Sequence, residues 1–182
     1  MTSKNQEFTS RMESWLSSIT SDWPIAAVAQ SPFESSLHDL LKQSPSLAGT
    51  GVEAALWLRL GLIDRGHEIV QDGKRGTAAY LHGVVHRLEG DYWNSKYWFR
   101  QVRDESLMET IGNKIIHSLE DPRYTEPALE LKLIHSDQFQ FDAFVDTCAA
   151  LTKTPLKSDM TASMVQQIIK SEWLAMLVIC QQ

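Results

Sequence analysis

The stretch LHGVVHRLEGDYWNSKYWFRQV, residues 81–102, determines our prediction of the fold. It carries two histidines, two arginines, two carboxylates and an asparagine among five aromatic side chains. Gly90 and Asp91 predict a tight turn between two helices, because glycine commonly ends a helix and aspartate commonly begins the next one. The first helix is predicted to run from about Thr77 to Glu89, and the second is predicted to end near Val102. The stretch therefore predicts a helical hairpin that holds many polar groups where two helices normally make apolar contact.

The chain on both sides of this stretch is also predicted to be helical, because its apolar residues recur at the helical period. A serine before a first-turn proline (Ser31 and Pro32) and the pair Thr50 and Glu53 are typical helix starts. No alternating apolar run is bounded by turn residues, so we expect no strand. The fold is predicted to be all-α, with seven or eight helices. Five other helices are predicted. The first carries the stripe Phe8, Met12, Trp15 and Ile19, and the second spans about 51–71. The third carries Met108, Ile111, Ile115 and Leu119, the fourth follows a cap at Ser136, and the fifth spans about 161–180.

Composition sets limits on the class of protein. With 182 residues, 43% of them hydrophobic and 22% charged, the chain is predicted to form one globular all-α domain over residues 1–182. Asp and Glu number 23 against 17 Lys and Arg, a formal net charge of −6. Because the chain has no basic stripe or tail, we expect no nucleic-acid partner.

We predict a cytoplasmic location and no membrane contact. The first residues lack the uninterrupted apolar run of a secretory signal, and the apolar run 174–180 is too short to span a bilayer. Cys148 and Cys180 have neither metal-ligand nor redox spacing, which is typical of buried thiols in a reducing compartment. The last two turns of the C-terminal helix are apolar nearly all round, so we expect them to be deeply buried or to form a homo-oligomer contact.

Several residues of this region match the turn and the small or large helix positions of a known helical-hairpin motif. They are Gly83, Gly90, Tyr92, Ser95 and Phe99, with a weaker copy upstream at Gly61, Gly66 and Val70. With these residues, positions 51–103 resemble two tetratricopeptide-like helical hairpins. The two turn glycines are 29 residues apart, which is shorter than the period of about 34 residues in tandem repeats of that kind. The resemblance implies a stack of helical hairpins and implies no particular partner.

The string H-G-x-x-H-R-x-E-G-D-x-x-N-x-x-Y-W-F-R, beginning at His82, is also similar to a signature of a bacterial family of unassigned function. That similarity implies no activity.

The departures from the repeat pattern predict a polar pocket. His82 and His86 stand where the motif has a leucine and a large aromatic residue, and Glu89 extends the same helix face. Two further rows have helical spacing: Asp64, His67 and Gln71 upstream, and Asn94, Trp98 and Gln101 downstream. If the hairpins stack, the three rows would enclose a pocket between residues 64–71 and 82–101. Because an unpaired buried polar group costs about 1–3 kcal/mol, the groups would have to bond one another, water or a ligand.

A divalent metal ion is one interpretation of the pocket. His82, His86 and either His67 or Glu89 would supply three or four ligands, since two histidines one helical turn apart are a common ligand pair. The string HGVVH lacks the glutamate of a zinc-protease motif. The commoner interpretation of such histidines is structural, as interior rings that are hydrogen-bonded.

Acid–base chemistry without a metal is a second interpretation. Asp64 or Glu89 would orient a histidine, and Arg87 or Arg100 would hold an anionic group. The alternative is that Arg87, Glu89 and Asp91 form a solvated ion-pair cluster around the turn, with Asp91 also capping the next helix.

Trp93 and Tyr97, one helical turn apart, would line a groove or a protein interface, or would pack in the core. We therefore predict a non-catalytic binding or scaffold protein with a protein or small-molecule partner. The alternative prediction is a small enzyme that uses the same pocket, with a divalent metal on His82 and His86. The sequence assigns no catalytic residue and no other cofactor.

Overall fold

The computed structural model describes residues 19, 24, 26–153 and 159–180. Within these residues the chain forms nine α-helices, one short 3-10 helix (Pro45–Leu47) and one two-stranded β-hairpin, so the prediction of an all-α fold is confirmed. The helices are α1 (Glu34–Lys42), α2 (Gly51–Arg59), α3 (Ile63–Val70), α4 (Gly76–Glu89), α5 (Tyr92–Gln101), α6 (Glu105–Ser118), α7 (Pro122–Glu130), α8 (Phe141–Lys153) and α9 (Asp159–Cys180). The predicted helix with the stripe Phe8, Met12 and Trp15 lies outside the described residues.

Helices α2 to α5 form two antiparallel pairs, and α3 packs against α4. The turn at Gly61 that the hairpin resemblance implies is found, with a positive φ of 74°, so the stretch predicted for 51–71 is two helices and not one. The predicted turn at Gly90 is confirmed, since this residue ends α4 in the left-handed conformation. The result is a stack of two helical hairpins in the manner of helical-repeat proteins.

Close approach of the helices explains the small residues in this stack. A Cβ atom added to Gly83 of α4 would lie 3.0 Å from the ring of Phe99 on α5. Beside this contact, the Ser95 hydroxyl donates to the Gly83 carbonyl oxygen at 2.8 Å. In the other pair, a Cβ on Gly66 would lie 2.8 Å from Leu58. Both hairpins therefore depend on a missing side chain at their crossing point.

Helix starts follow the expected capping chemistry at some positions and not at others. Thr50 accepts a hydrogen bond from the Glu53 amide, and Asp91 accepts one from the Asn94 amide. Helix α4, predicted from about Thr77, begins at Gly76 and has no side-chain cap. The Gly76 amide donates to the Val102 carbonyl oxygen at 2.9 Å, so a tertiary contact takes the place of a side-chain cap.

The segment between α6 and α8 differs most from expectation. Strands β1 (Ile134–His135) and β2 (Gln138–Phe139) pair in antiparallel register, with Ser136 and Asp137 in the turn at positive φ of 49° and 59°. The predicted cap at Ser136 is therefore wrong, since that residue closes a β-hairpin turn of the type that requires positive φ. Helix α7 was also not predicted, although Asp121 caps it and Pro122 occupies its first turn.

Helix α9 crosses the stack and contacts α2, α4, α6 and α7. The Trp173 indole nitrogen donates to the Ala55 carbonyl oxygen at 2.8 Å. In its last turns, Trp173, Met176 and Leu177 are buried, whereas Leu174 and Val178 are 39% and 61% exposed. Expected burial is thus found on one side of the helix only. Within the described part of the chain, no helix has the length and apolar character needed to cross a membrane.

Candidate functional site

Three histidines from two helical hairpins meet where α3 packs on α4. His67 belongs to α3, and His82 and His86 belong to α4. One ring nitrogen of each lies within 4.8 Å of a ring nitrogen of the other two. The closest approach joins Nε2 of His67 to Nε2 of His82 at 2.9 Å. We call these three residues the histidine cluster.

Helix α5 supplies the third side of the cluster. The Trp98 indole stacks on His82 with ring centroids 3.9 Å apart, and His82 in turn stacks on His86 at 4.9 Å. The side-chain amide nitrogen of Asn94 lies 3.1 Å from Nε2 of His86. The structure therefore brings together His67, His82, His86, Asn94 and Trp98, as the expected facing of the three rows requires.

A carboxylate orients one ring of the cluster. Oε2 of Glu89 lies 2.7 Å from Nδ1 of His86, one helical turn away on the same face. With Glu89 ionised, Nδ1–H of His86 donates to this carboxylate, so Nε2 carries the lone pair. The Asn94 amide nitrogen, 3.1 Å from Nε2 and 3.5 Å from Nδ1, lies over the ring face and not along that lone pair. The contact with Glu89 thereby fixes both the tautomer and the orientation of His86.

His82 lies at the centre of the cluster and is only 6% exposed. Its Nδ1 atom is buried and has no hydrogen-bonding partner among the described residues. Burial, and then the neighbouring His67 and His86, lower the pKa of His82 from 6.5 to about 4, so the ring is neutral around pH 7. An unsatisfied polar atom in such a position costs about 1–3 kcal/mol, which makes it the least satisfied feature of the cluster.

Besides Arg87, which is described below, three predicted pocket residues do not join the cluster. Asp64 lies exposed in the first turn of α3, and Gln71, just beyond the end of that helix, donates to the Glu68 carbonyl oxygen. Helix α3 spans only eight residues, so Asp64 and Gln71 lie at its two ends. Of the predicted row, His67 near the middle of the helix is the residue that contacts the rings of α4. On α5, Gln101 accepts a weak bond from Arg103 instead of facing the histidines.

Arg87 points to the opposite side of α4 and is buried against α9. Its guanidinium donates to both carboxylate oxygens of Glu172, at 2.9 and 2.5 Å, and lies over the ring of Phe144. The Tyr80 hydroxyl, seven residues earlier on the same face, also donates to Glu172 at 2.8 Å. Neither the anion-binding role nor the solvated cluster predicted for Arg87 is correct, since its charge is neutralised inside the protein.

The buried contact with Glu172 shifts the pKa values of Arg87 and Tyr80. Burial lowers the pKa of Arg87, but the charge of Glu172 and its hydrogen bonds outweigh burial and raise that pKa above its usual value. Burial first, and then the Glu172 charge, raise the pKa of Tyr80 well above 10. Arg87 therefore stays charged and Tyr80 stays protonated under physiological conditions.

Glu172 is the residue that sequence reasoning missed. The signal was present, because Glu172 is the last charged residue before the apolar run that ends α9. A lone carboxylate in that position indicates a buried partner, since unpaired buried charges are costly.

The other predicted side chains are accounted for separately. Arg100 pairs with Asp142 of α8, and Asp91 caps α5. Trp93 and Tyr97 are 77% and 44% exposed and stack on each other with centroids 6.3 Å apart. An interface role for these two aromatic residues stays a prediction.

The histidine cluster has the donor chemistry of a metal site. Neutral imidazole nitrogens bind divalent transition metals, and the carboxylate on the far nitrogen of His86 is the usual outer partner of such a ligand. No family model matches the chain, and the searches of curated proteins and of solved structures likewise found no match.

Proposed function

We propose that this protein is a non-catalytic binding protein that holds one divalent transition-metal ion through His67, His82 and His86. One observation carries the proposal: a ring nitrogen from each of the three imidazoles lies within 4.8 Å of the other two, at a crossing of two helical hairpins. The central ring of the cluster, His82, also has a buried Nδ1 atom without a partner among the described residues, so side chains alone do not satisfy this imidazole.

The spacing of the nitrogens supports an ion of this kind. Two nitrogen ligands of a tetrahedral zinc ion, each about 2.0–2.1 Å from the metal, lie about 3.4 Å from each other. The observed separations extend from 2.9 Å to at most 4.8 Å. The nitrogens are therefore within range of one ion, and the nearly parallel rings of His82 and His86, with 16° between their planes, would rotate to direct their lone pairs at it.

The type of donor narrows the choice of ion. An all-imidazole set suits zinc, copper, nickel or cobalt, whereas magnesium and calcium prefer oxygen ligands. The thiols of Cys148 and Cys180 do not belong to the cluster. Glu89 would support the site from outside by holding His86 in the correct tautomer.

We further infer that α2 to α5 are tetratricopeptide-like hairpins that act as a binding scaffold for a protein or small-molecule partner. The packing of Gly83 on Phe99, and the bond from Ser95 to the Gly83 carbonyl, support this inference. A cytoplasmic location is supported by the free thiols of Cys148 and Cys180. The exposed pair Leu174 and Val178 supports self-association through α9.

A second candidate is a small enzyme that uses the same side chains. The observation in its favour is the contact between His86 and Glu89 at 2.7 Å, because a carboxylate that orients an imidazole is a common arrangement for a general base. In that case His86→Gln, which keeps a polar side chain in this buried position, would abolish the activity under conditions where the variant protein is still folded.

Titration of metal-depleted protein with Zn²⁺ tests the proposal. Calorimetry should show one equivalent bound, and zinc at about a hundredfold its Kd should raise the melting temperature by about 5–10 °C. His67→Gln, on the half-buried member of the cluster, should weaken zinc binding by more than about tenfold, and Glu89→Gln should weaken it less.

His117 provides the matched control, since it is an exposed histidine of α6 that also pairs with a carboxylate, that of Glu120. His117→Gln should bind zinc as the wild-type protein does. Zinc binding that is absent, or that falls equally in His67→Gln and His117→Gln, would show that the cluster is not a metal site.

A further inference from the structure

We propose that the ion held by His67, His82 and His86 keeps one exchangeable coordination position, and that this position takes a small monodentate anion. The inference rests on the proposed metal-binding function and names the additional ligand of the same site. Its basis is the number of donors, the exposure of the surrounding side chains, and the local charge.

The described residues supply three donors to the cluster, and the nearest carboxylate is already engaged. Oε2 of Glu89 accepts from Nδ1 of His86, so this side chain holds a ligand instead of serving as one. Zinc and cobalt ions in proteins are commonly four-coordinate, and a site with three protein ligands leaves the fourth position to an exogenous group.

The exposure of the surrounding residues places this position toward one edge of the cluster. Trp98 covers His82, and both His82 and His86 are buried. In contrast, His67 and Asn94 are half-buried, and the side chain of Glu89 is 31% exposed. A small ligand would therefore enter between α3 and the start of α5.

Charge favours an anion at this position. Three neutral imidazoles leave the two positive charges of the ion intact, and the Glu89 carboxylate compensates only one of them. The remaining positive charge, in a partly buried environment, attracts an anionic ligand more strongly than it would in water.

Asn94 is the side chain that would contact this ligand. Because Nδ1 of His86 is bonded to Glu89, an ion would bind Nε2, the atom that now lies 3.1 Å from the Asn94 amide nitrogen. This amide nitrogen lies 3.1 Å from Nε2 and 3.5 Å from Nδ1 of the same ring, so it lies over the ring face and leaves the Nε2 lone pair free for the ion. Its N–H groups are donors next to the coordination sphere, where one can bond the anion.

Cobalt-loaded protein and azide provide the test. Co²⁺ in a nitrogen-rich tetrahedral site absorbs visible light, and azide should change the position and intensity of this absorption along a saturable curve. Asn94→Leu, which keeps the volume and removes the donor, should still bind cobalt and should weaken azide binding by about tenfold, the effect of one hydrogen bond to a charged group. Asn113→Leu, an exposed asparagine of α6, is the matched control and should not alter azide binding.

The outcomes separate the two proposals. A visible cobalt spectrum that azide leaves unchanged, or from which azide only removes the metal, would overturn the exchangeable position while the metal site stands. Equal azide affinity in Asn94→Leu and the wild-type protein would overturn the role of Asn94. Absence of any cobalt spectrum would overturn the proposed function itself, and this inference with it.

Discussion

His82 is held between two aromatic surfaces, with the Trp98 indole on one side and the His86 ring on the other. This arrangement favours the neutral ring, because a proton on His82 would have to be accommodated beside two other imidazoles and out of contact with water. The unfolded chain has no such restriction. The two states of the protein therefore bind different numbers of protons in mildly acidic solution.

The stability of the metal-free protein should consequently fall as pH decreases from 6.5 toward 4. In this range the unfolded chain binds a proton at residue 82, and the folded protein, in which the pKa of His82 is about 4, does not. His82 should lower the free energy of unfolding by at most about 1.4 kcal/mol for each pH unit in this range, and it should have no effect above pH 6.5. Urea unfolding at pH 7 and pH 5, in the presence of a chelator, measures it.

Carboxylates also titrate at low pH, so the comparison should be made with His82→Phe, which keeps an aromatic ring against Trp98 and removes the titratable group. The difference in unfolding free energy between the two pH values should be smaller in this variant. Equal differences in both proteins would contradict the depressed pKa of His82.

At the scale of the helical pair, the contact of α4 with α5 depends on the absence of a side chain at residue 83. A Cβ atom there would lie 3.0 Å from Phe99, which is tighter than ordinary carbon contacts. Gly83→Ala should lower the free energy of unfolding, because overpacking of about 1–3 kcal/mol outweighs the gain of up to about 1 kcal/mol from the better helix propensity of alanine. Denaturant unfolding of the variant and the wild-type protein measures the sign of this change in free energy.

A double-mutant cycle identifies the cause. Phe99→Leu removes the ring that a methyl group would meet, so Gly83→Ala should cost less in that background than in the wild-type protein. Stabilisation by Gly83→Ala in the wild-type protein would show that the two helices can separate without cost.

The elements that sequence predicted well are those whose signal is local. The turn at Gly90 and the cap at Asp91 follow from neighbours within a few residues along the chain. The close packing at Gly83, which meets Phe99 sixteen residues later, follows from the resemblance to a helical-hairpin motif. The β-hairpin at Ser136 was missed because each strand has only two residues, too few to show alternation. Helix α7 was missed because a proline such as Pro122 is typical both of a helix start and of the position just after a helix end.

The candidate site shows the same limit. Helical spacing correctly placed His82, His86 and Glu89 on one face of α4, and contact with His67 followed from stacking the hairpins. Spacing could not show that Arg87 faces α9, because its partner Glu172 lies 85 residues away. Local periodicity specifies which residues share a face, and only the packed molecule specifies what that face meets.

For the molecule as a whole, the pair Arg87 and Glu172 joins the central hairpins to the C-terminal helix. Both side chains are at most 3% exposed, so each neutralises a charge that water cannot reach. Glu172→Gln should lower the free energy of unfolding by about 3–5 kcal/mol, because it leaves the guanidinium buried without its counter-ion. Urea unfolding at pH 7 measures this loss.

Replacing both partners is the informative comparison. Arg87→Met combined with Glu172→Leu removes both charges, so the double variant should be more stable than Glu172→Gln alone. An additive loss in the double variant would mean that the two side chains stabilise the fold independently of each other.

The three rings of the cluster come from different hairpins, and this has a consequence for inheritance. The string H-G-x-x-H that begins at His82 contains two of the rings, whereas His67 lies fifteen positions earlier, on the other hairpin. Duplication or recombination of α4 and α5 alone would copy this string without its third donor. A chain that had the string but no histidine at the position of residue 67 would therefore lack the full donor set.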